Sequence, residues 1–184
     1  MKNFLIVVVV LAVVGVLAYI GMRNSLVTMD ENVNNAWAQV ETVLQRRYDL
    51  IPNLVNTVKG YAKHEQTTFE EIARLRTQWA EAKGTDAKAV AATQMEGALG
   101  RLMLVVENYP ELKANQNFLA LQDELSGTEN RISVERRRYN EAVNAFNAAI
   151  RRFPTSLVAG QMNLSKREYF EAAEGAKEAP KVEF

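Results

Sequence analysis

The residue types that carry most enzyme chemistry are scarce in this chain of 184 residues, which has one histidine and no cysteine. His64 is followed by Glu65, but residue 68 is threonine, so the H-E-x-x-H pattern of a zinc protease does not occur. A Ser-His-Asp triad would have to use His64, and no serine stands in a G-x-S-x-G sequence. There is no glycine-rich phosphate-binding loop either. These patterns favour a protein that is not an enzyme and predict no cofactor and no metal site.

One row of polar side chains could recognise a ligand. Asn140, Asn144 and Asn147 share one face of a predicted helix, beside Tyr139 and Phe146. Carboxamides in this arrangement could bind a polar ligand, or they could form an ordinary hydrated or interhelical amide row. The sequence leaves both interpretations open.

The composition favours a helical protein without a strong net electrostatic field. Lysine and arginine number 22, aspartate and glutamate also number 22, and the formal net charge is zero. This balance implies no electrostatic field that would attract nucleic acid or a lipid surface. Only four prolines and nine glycines occur, and good helix formers are abundant.

Residues 4–22 form a run of nineteen uncharged and mostly aliphatic residues. As a helix this run would span roughly 28 Å, close to the thickness of the hydrocarbon layer of a bilayer. A cleaved signal peptide would end in small residues of the A-x-A type, whereas this run ends Ala18-Tyr19-Ile20-Gly21-Met22. We therefore predict an uncleaved single-pass anchor, residues 1–25, that contacts the lipid bilayer through residues 4–22.

The charges next to the anchor indicate its orientation. The α-amine and Lys2 precede the run, and Arg23 follows it. By the positive-inside rule this difference of one charge favours a cytoplasmic N-terminus and an exported C-terminal domain. The expected location is therefore a membrane, with the helical domain on the exported side.

The remainder of the chain has helical periodicity. Apolar residues recur with alternating spacings of four and three, which predicts a first long helix over Leu26–Tyr61 with a coiled-coil-like seam. Two shorter helices follow, separated by a turn at Gly84. A second long helix then runs from Phe118 to Phe153, and a short helix begins at Ser165. The predicted fold class is all-α: a transmembrane helix followed by an antiparallel bundle, residues 26–174, with two long and two short helices, a short C-terminal helix and a flexible tail, residues 175–184.

Two charged residues interrupt the apolar seams of the long helices. Arg47 replaces an apolar residue between Leu44 and Ile51, and Glu135 does the same in the second long helix. Counting back from predicted helix tops near His64 and Asn115 puts the two at nearly the same level. We therefore expect either a buried Arg47–Glu135 ion pair that sets the register, or two side chains that reach water.

The half of the bundle next to the membrane is predicted to contain only the two long helices and the C-terminal segment. Its apolar residues Trp37, Val40, Val143 and Phe146 need a covering partner. That partner is either residues 157–170 folding back or a second copy of the chain. These four residues are therefore the candidate surface for self-association as a homo-oligomer.

The chain ends Pro180-Lys181-Val182-Glu183-Phe184. Apolar residues at the last and third-last positions, beside a terminal carboxylate, suit capture in a PDZ-like groove by strand addition. Val182 and Phe184 are therefore candidate contacts for a protein partner.

Several long motifs are spread over this sequence: W-A-Q-V-E at 37–41, R-R-Y-D-L-I-P-N-L-V at 46–55, G-Y-A-K-H-E at 60–65, E-N-Y-P-E-L-K-A-N at 107–115 and T-E-N-R-I at 128–132. With these motifs the chain resembles the bacterial LemA family across nearly its whole length. The resemblance implies an N-terminal membrane helix, a helical bundle, no catalytic residue and a location in the inner membrane of a bacterial cell.

The function expected from these patterns is a membrane-anchored helical scaffold or interaction protein of the cell envelope that associates with itself. The alternative is an accessory or sensor subunit that presents its C-terminal tail to another envelope protein, such as a membrane protease.

Overall fold

The structure is a computed structural model that describes residues 1–170. This part of the chain contains six helices and no strand, so the all-α fold class is confirmed. The helices are α1 (Lys2–Lys59), α2 (Gln66–Glu81), α3 (Thr85–Val106), α4 (Pro110–Lys113), α5 (Gln116–Ala149) and α6 (Thr155–Gln161).

Helix α1 joins the predicted anchor to the predicted first bundle helix without a break. It runs for 58 residues and continues through Pro52. It ends at Lys59, two residues before the end expected from the sequence. The uninterrupted helix confirms that residues 4–22 and the seam that follows belong to one element.

The seam of α1 supplies much of the core. Val33, Val40, Leu44, Ile51, Leu54 and Val58 are buried, as the alternating spacing predicts. Tyr48 and Arg47 are buried as well, because the stripe is wider than a strict two-helix seam. Tyr61, the predicted last residue of this helix, lies beyond the end of α1 and is 39 % exposed.

Helices α2 and α3 form a hairpin around a glycine turn. Gly84 has a φ of +83°, a backbone conformation that residues with a Cβ rarely adopt, and this explains the glycine at the turn. Helix α2 buries Phe69, Ile72, Leu75 and Trp79, at the spacing of one helix face. Helix α3 buries three alanines among its core residues, and their small side chains let neighbouring helices approach closely.

The C-terminal helix lies ten residues earlier than the sequence predicted. Helix α6 covers Thr155–Gln161, whereas residues 163–170, which include the predicted start at Ser165, are not helical. The reason lies in α5, whose side chains bind the backbone of this segment in place of helical hydrogen bonds. The Asn147 carboxamide donates to the Arg167 carbonyl and accepts from the Arg167 N–H, both at 2.9 Å. The Tyr139 hydroxyl donates to the Glu168 carbonyl at 2.9 Å. We call residues 163–169 the strap.

Helix α6 packs near the end of the apolar run. Leu26 of α1 and Val158 and Ala159 of α6 form a buried cluster. Partly buried residues of α1, α5 and the α6 region pack against this cluster: Met22, Ala149, Ile150, Met162 and Leu164.

By its internal contacts the chain divides into two compact units. Of the described residues, the first unit contains Met1–Ala38 and Arg137–Tyr169, and the second contains Gln39–Arg136 and Phe170. Helices α1 and α5 each contribute to both. The first unit holds the apolar run, α6 and the strap, and the second holds the α2–α3 hairpin.

Candidate functional sites of the helical domain

The second unit contains one buried charge, Arg47, at the seam position where the sequence predicted it. Only 8 % of the residue is exposed. Its Nη1 lies 2.5 Å from Oε2 of Glu129 on α5, so the partner in the structure is Glu129 where the sequence analysis had placed Glu135. Glu135 lies six residues further along the same helix and makes its own polar or charged contact.

The Arg47–Glu129 pair lines a groove of about 330 Å³. Leu99 and Met103 of α3 and Leu125 of α5 contribute its apolar wall, and Glu96, Gly100, Gln122 and Ser126 complete the lining. Arg47 Nε is buried without an acceptor among residues 1–170. The groove therefore combines apolar walls with a partly satisfied charged group, a combination typical of a protein-binding surface.

Tyr48, next to Arg47, belongs to an aromatic pair in the second unit. Its ring stacks on Trp79 of α2 with a centroid distance of 4.2 Å and an interplanar angle of 16°. Its hydroxyl donates to the carbonyl of Ala91 on α3 at 3.3 Å. Burial raises the pKa of the Tyr48 phenol well above its usual range, and the nearby Arg47 charge lowers it by less. The phenol is therefore a structural group that stays neutral.

The same aromatic pair borders a cleft of about 540 Å³. Lys88 of α3 forms an ion pair with Glu41 of α1, and its Nζ lies 5.4 Å from the centre of the Trp79 ring. Gln45 donates to Asp49 at 2.8 Å. The Trp79 indole N–H is buried and has no acceptor in the described part of the chain. The cleft could take a polar ligand, although two of its charged groups, Lys88 and Glu41, already bind each other.

The four residues proposed for self-association do not form an open surface. Val40, Val143 and Phe146 are fully buried, and Trp37 is partly buried with its ring edge-on to Tyr139 at 5.3 Å. Of the two covering partners expected, the chain itself folds back, since the strap binds Tyr139 and Asn147 of α5. The assignment of these residues to an open self-association surface was therefore wrong.

The strap is the feature of the first unit that the sequence analysis missed. Besides its two contacts to α5, Arg167 donates to Oδ1 of Asp30 on α1 through Nη2 at 2.8 Å and Nε at 3.2 Å. The sequence feature that could have indicated the strap was the row of Asn140, Asn144 and Asn147 on one helix face. Asn147 binds backbone of the chain itself, and Asn144 accepts from the Tyr169 hydroxyl at 3.4 Å. These two asparagines therefore bind other parts of the chain, as in the interpretation of the row as ordinary structural amides.

The remaining predicted site residues offer little chemistry. His64 lies in the turn between α1 and α2. Within residues 1–170 no group of three or more His, Cys, Asp or Glu side chains is placed to hold a metal ion. Val182 and Phe184 lie outside the residues that the structure describes.

Comparison with known proteins gives a family match over most of the chain. The model of the LemA family matches residues 36–184. A magnetosome protein MamQ of Paramagnetospirillum magneticum is 30 % identical over 194 aligned positions, which cover 91 % of this chain and 71 % of that protein. Protein LemA of Metamycoplasma hominis is 27 % identical over 85 % of this chain and 72 % of its own length. Magnetosome protein MamQ of Magnetospirillum gryphiswaldense is 26 % identical over 91 % and 72 %, respectively.

Proposed function

The chain belongs to the LemA family, and from that premise we propose that it is a membrane-anchored helical interaction protein without catalytic activity of its own. Residues 4–22 are the proposed transmembrane anchor, and the helices beyond them are the interaction domain. The continuity of α1 carries this proposal.

The anchor proposal is supported by the exposure of the apolar run. Two helices in the described residues are long and apolar enough to cross a membrane, α1 and α3. The apolar window of α1 has none of its residues buried, whereas that of α3 is 39 % buried and α3 packs on α2 as a core helix does. An exposed apolar helix of this length is costly in water, and a bilayer removes that cost.

The test of the anchor is extraction of bacterial membranes that contain the full chain. We expect the protein to stay in the membrane at alkaline pH or in urea and to be released only by detergent. A control lacking residues 1–25 should appear in the soluble fraction. Release of the full chain without detergent would contradict the proposal.

Orientation is tested by adding protease to spheroplasts. With an exported domain, external protease should degrade the helical domain while a cytoplasmic marker stays intact. Protection of the domain until the membrane is opened would reverse the proposed orientation.

For self-association we propose the outward face of α3, since the surface expected from the sequence is buried. Leu104 is 70 % exposed and Val90 is 55 % exposed. They share a seam with Gln94, Gly97 and Arg101, all exposed, at alternating spacings of four and three. Gly97 has open space around its position, apart from the flexible end of Arg101, so a second helix could approach closely.

The Leu104→Arg variant tests this surface in the detergent-extracted full chain. We expect the wild type to form a discrete homo-oligomer and the variant to be shifted toward the monomer, as measured by light scattering. Leu119→Arg, on α5 at 44 % exposure, is the matched control and should leave the size unchanged. A wild-type monomer, or equal effects of both variants, would refute the α3 surface.

The alternative function, an accessory or sensor subunit for another envelope protein, is favoured by the alternation of Val182 and Phe184. It predicts a co-purifying partner that is lost when residues 182–184 are deleted. An unchanged set of partners after the deletion would argue against it.

A further inference from the structure

We propose that α6 and the loop before it form a second membrane contact, a basic and apolar patch that rests on anionic lipid headgroups beside the anchor. The patch consists of Arg151, Arg152, Phe153 and Leu157, and Arg23 of α1 extends it. The inference rests on the proposed function in one respect, since it requires that residues 4–22 span the bilayer.

The height of the patch follows from contacts within the first unit. Val158 and Ala159 of α6 pack on Leu26, and Met22, the last residue of the apolar run, packs against the same cluster. Leu26 is four residues beyond Met22, which is about 6 Å along a helix. The headgroup layer on each side of a bilayer is roughly 5–8 Å thick. Helix α6 therefore lies at the level of the headgroups.

Two large apolar side chains of this region face no protein core. Phe153 is 81 % exposed and Leu157 is 63 % exposed, although Val158, next to Leu157, is buried. Ile150, three residues before Phe153, packs on the Leu26 cluster, so the loop lies close to the end of the anchor. Exposed aromatic and aliphatic residues at headgroup level are what a peripheral membrane contact uses.

The charge in this region has a single sign. Arg23, Arg151 and Arg152 are all exposed. The sequence has no aspartate or glutamate in residues 1–29 or 142–164, although the chain as a whole is neutral. Balanced charge overall and purely basic charge beside the anchor point to anionic lipid as the partner. A second copy of this chain would bring the same three arginines and would repel.

The test places one fluorescent label at Leu157 of the full chain, which has no native cysteine. Leu157→Cys is labelled with an environment-sensitive dye and reconstituted into phosphatidylcholine vesicles, with and without a minority of phosphatidylglycerol. Quenching is then measured with lipids spin-labelled near the headgroup for the labels outside the anchor, and with lipids spin-labelled in the middle of the bilayer for the label at position 13. Val13→Cys in the anchor is the positive control. Glu141→Cys is the negative control, because it is exposed and lies eight residues, about 12 Å, before the end of α5.

We expect the Leu157 label to be quenched several-fold more strongly than the Glu141 label when phosphatidylglycerol is present. Replacing Arg151 and Arg152 by glutamine should lower that quenching, since one arginine near an anionic surface changes occupancy about fivefold. High salt should act in the same direction.

The outcomes separate this inference from the anchor proposal. If Val13 is quenched and Leu157 is not, the patch is refuted and the anchor stands. If neither is quenched, the anchor proposal fails and the patch fails with it. If the label at Leu157 is quenched to the same extent without phosphatidylglycerol and after the arginine substitutions, the assignment to anionic lipid is overturned. Self-quenching between labelled copies, without quenching by lipid, would assign the patch to a second copy instead.

Discussion

At the scale of single residues, the position of Arg47 could be predicted from the sequence, but its partner could not. Its position in an apolar seam is readable from spacing alone, and it is buried as that position implies. Its partner was missed because the level of Arg47 was counted from a predicted helix top near His64, which is five residues beyond the actual end of α1 at Lys59. Arg47 lies 12 residues before Lys59, and Glu129 lies 13 residues after Gln116, so the true helix ends place these two at one level. Helix ends depend on tertiary contacts, and an error there moves every interhelical pairing.

The Arg47–Glu129 pair should be energetically coupled. In a double-mutant cycle with Arg47→Met and Glu129→Gln, we expect a coupling of about 1–3 kcal/mol in the free energy of unfolding, because Arg47 is desolvated. Glu129→Gln should cost more than Arg47→Met, since it leaves a buried cation without a counter-charge. The measurement is denaturant unfolding of the detergent-solubilised full chain.

The matched control for that cycle is the Arg46–Glu124 pair, which joins the same two helices but is largely exposed. Its coupling should not exceed about 1 kcal/mol. Equal coupling of the two pairs, or coupling of Arg47 to Glu135 in place of Glu129, would contradict the structure.

Tyr48 gives a prediction about alkaline pH. Its pKa is raised in the folded state, so above about pH 10 the unfolded chain loses the phenol proton while the folded chain keeps it. The unfolded state then binds fewer protons, and the free energy of unfolding falls as the pH rises through that range, by up to about 1.4 kcal/mol per pH unit from this group. Below pH 10 Tyr48 contributes no pH dependence.

Tyr48→Phe tests this assignment, because it removes the ionisable group and keeps the ring on Trp79. Near neutral pH the variant should lose about 1 kcal/mol through the missing bond to Ala91. Above pH 10 the difference in the free energy of unfolding between the wild type and the variant should become smaller. A constant difference across the whole range would show that Tyr48 does not carry the alkaline effect. Tyr109→Phe is a suitable control for the general loss of a tyrosine.

At the scale of elements, periodicity predicted the long helices and the α2–α3 hairpin, and it failed at the C-terminal segment. Ser165 and Glu168 have the spacing of a helix N-terminus, yet residues 163–169 form the strap. The intrinsic preference of so short a segment for helix is weak. The two hydrogen bonds between Asn147 and Arg167, and the one from Tyr139 to Glu168, outweigh that preference. Contacts between residues twenty or more positions apart have no signature in local spacing.

Asn147 should hold the strap. Asn147→Ala removes both hydrogen bonds to Arg167 from a residue that is only 5 % exposed, and it leaves part-buried backbone groups of Arg167 without these partners. We expect a loss of roughly 2–3 kcal/mol in strap stability. Limited proteolysis and hydrogen exchange of residues 163–169 would measure it, and both should become faster in the variant.

Asn144→Ala is the control for the strap, because Asn144 is exposed and makes only a 3.4 Å contact with Tyr169. It should leave protease sensitivity nearly unchanged. If Asn147→Ala behaved in the same way, the Arg167–Asp30 ion pair and the Tyr139–Glu168 hydrogen bond would be sufficient to hold the strap.

At the scale of the whole molecule, the family and the helical class were accessible from sequence because long motifs and regular spacing recur across most of the chain. The burial of Val143 and Phe146 could not be predicted in this way, because it depends on where residues 155–170 fold. A surface inferred to be open from helix lengths was covered by the chain itself.

Continuity of α1 at the end of the apolar run can be tested at Ser25, which is exposed. Ser25→Pro should destabilise α1 there by about 3 kcal/mol, because proline removes a helical hydrogen bond and clashes with the preceding turn. Hydrogen exchange of residues 22–30 and of α6 should accelerate together. Ser25→Ala, which favours helix, should slow exchange or leave it unchanged, and equal exchange in both variants would show a hinge at this position.

The absence of a break in α1 over residues 22–38 has a mechanical consequence for an anchored protein. A spanning helix in a thinner bilayer tilts to keep its apolar length within the hydrocarbon. Met22 and Leu26 pack α6 against the same helix, so α6 cannot keep its orientation by rotating relative to residues 4–22 when that helix tilts. If residues 4–22 span the bilayer as proposed, the first unit leans with them, and bilayer thickness thereby sets its inclination to the membrane.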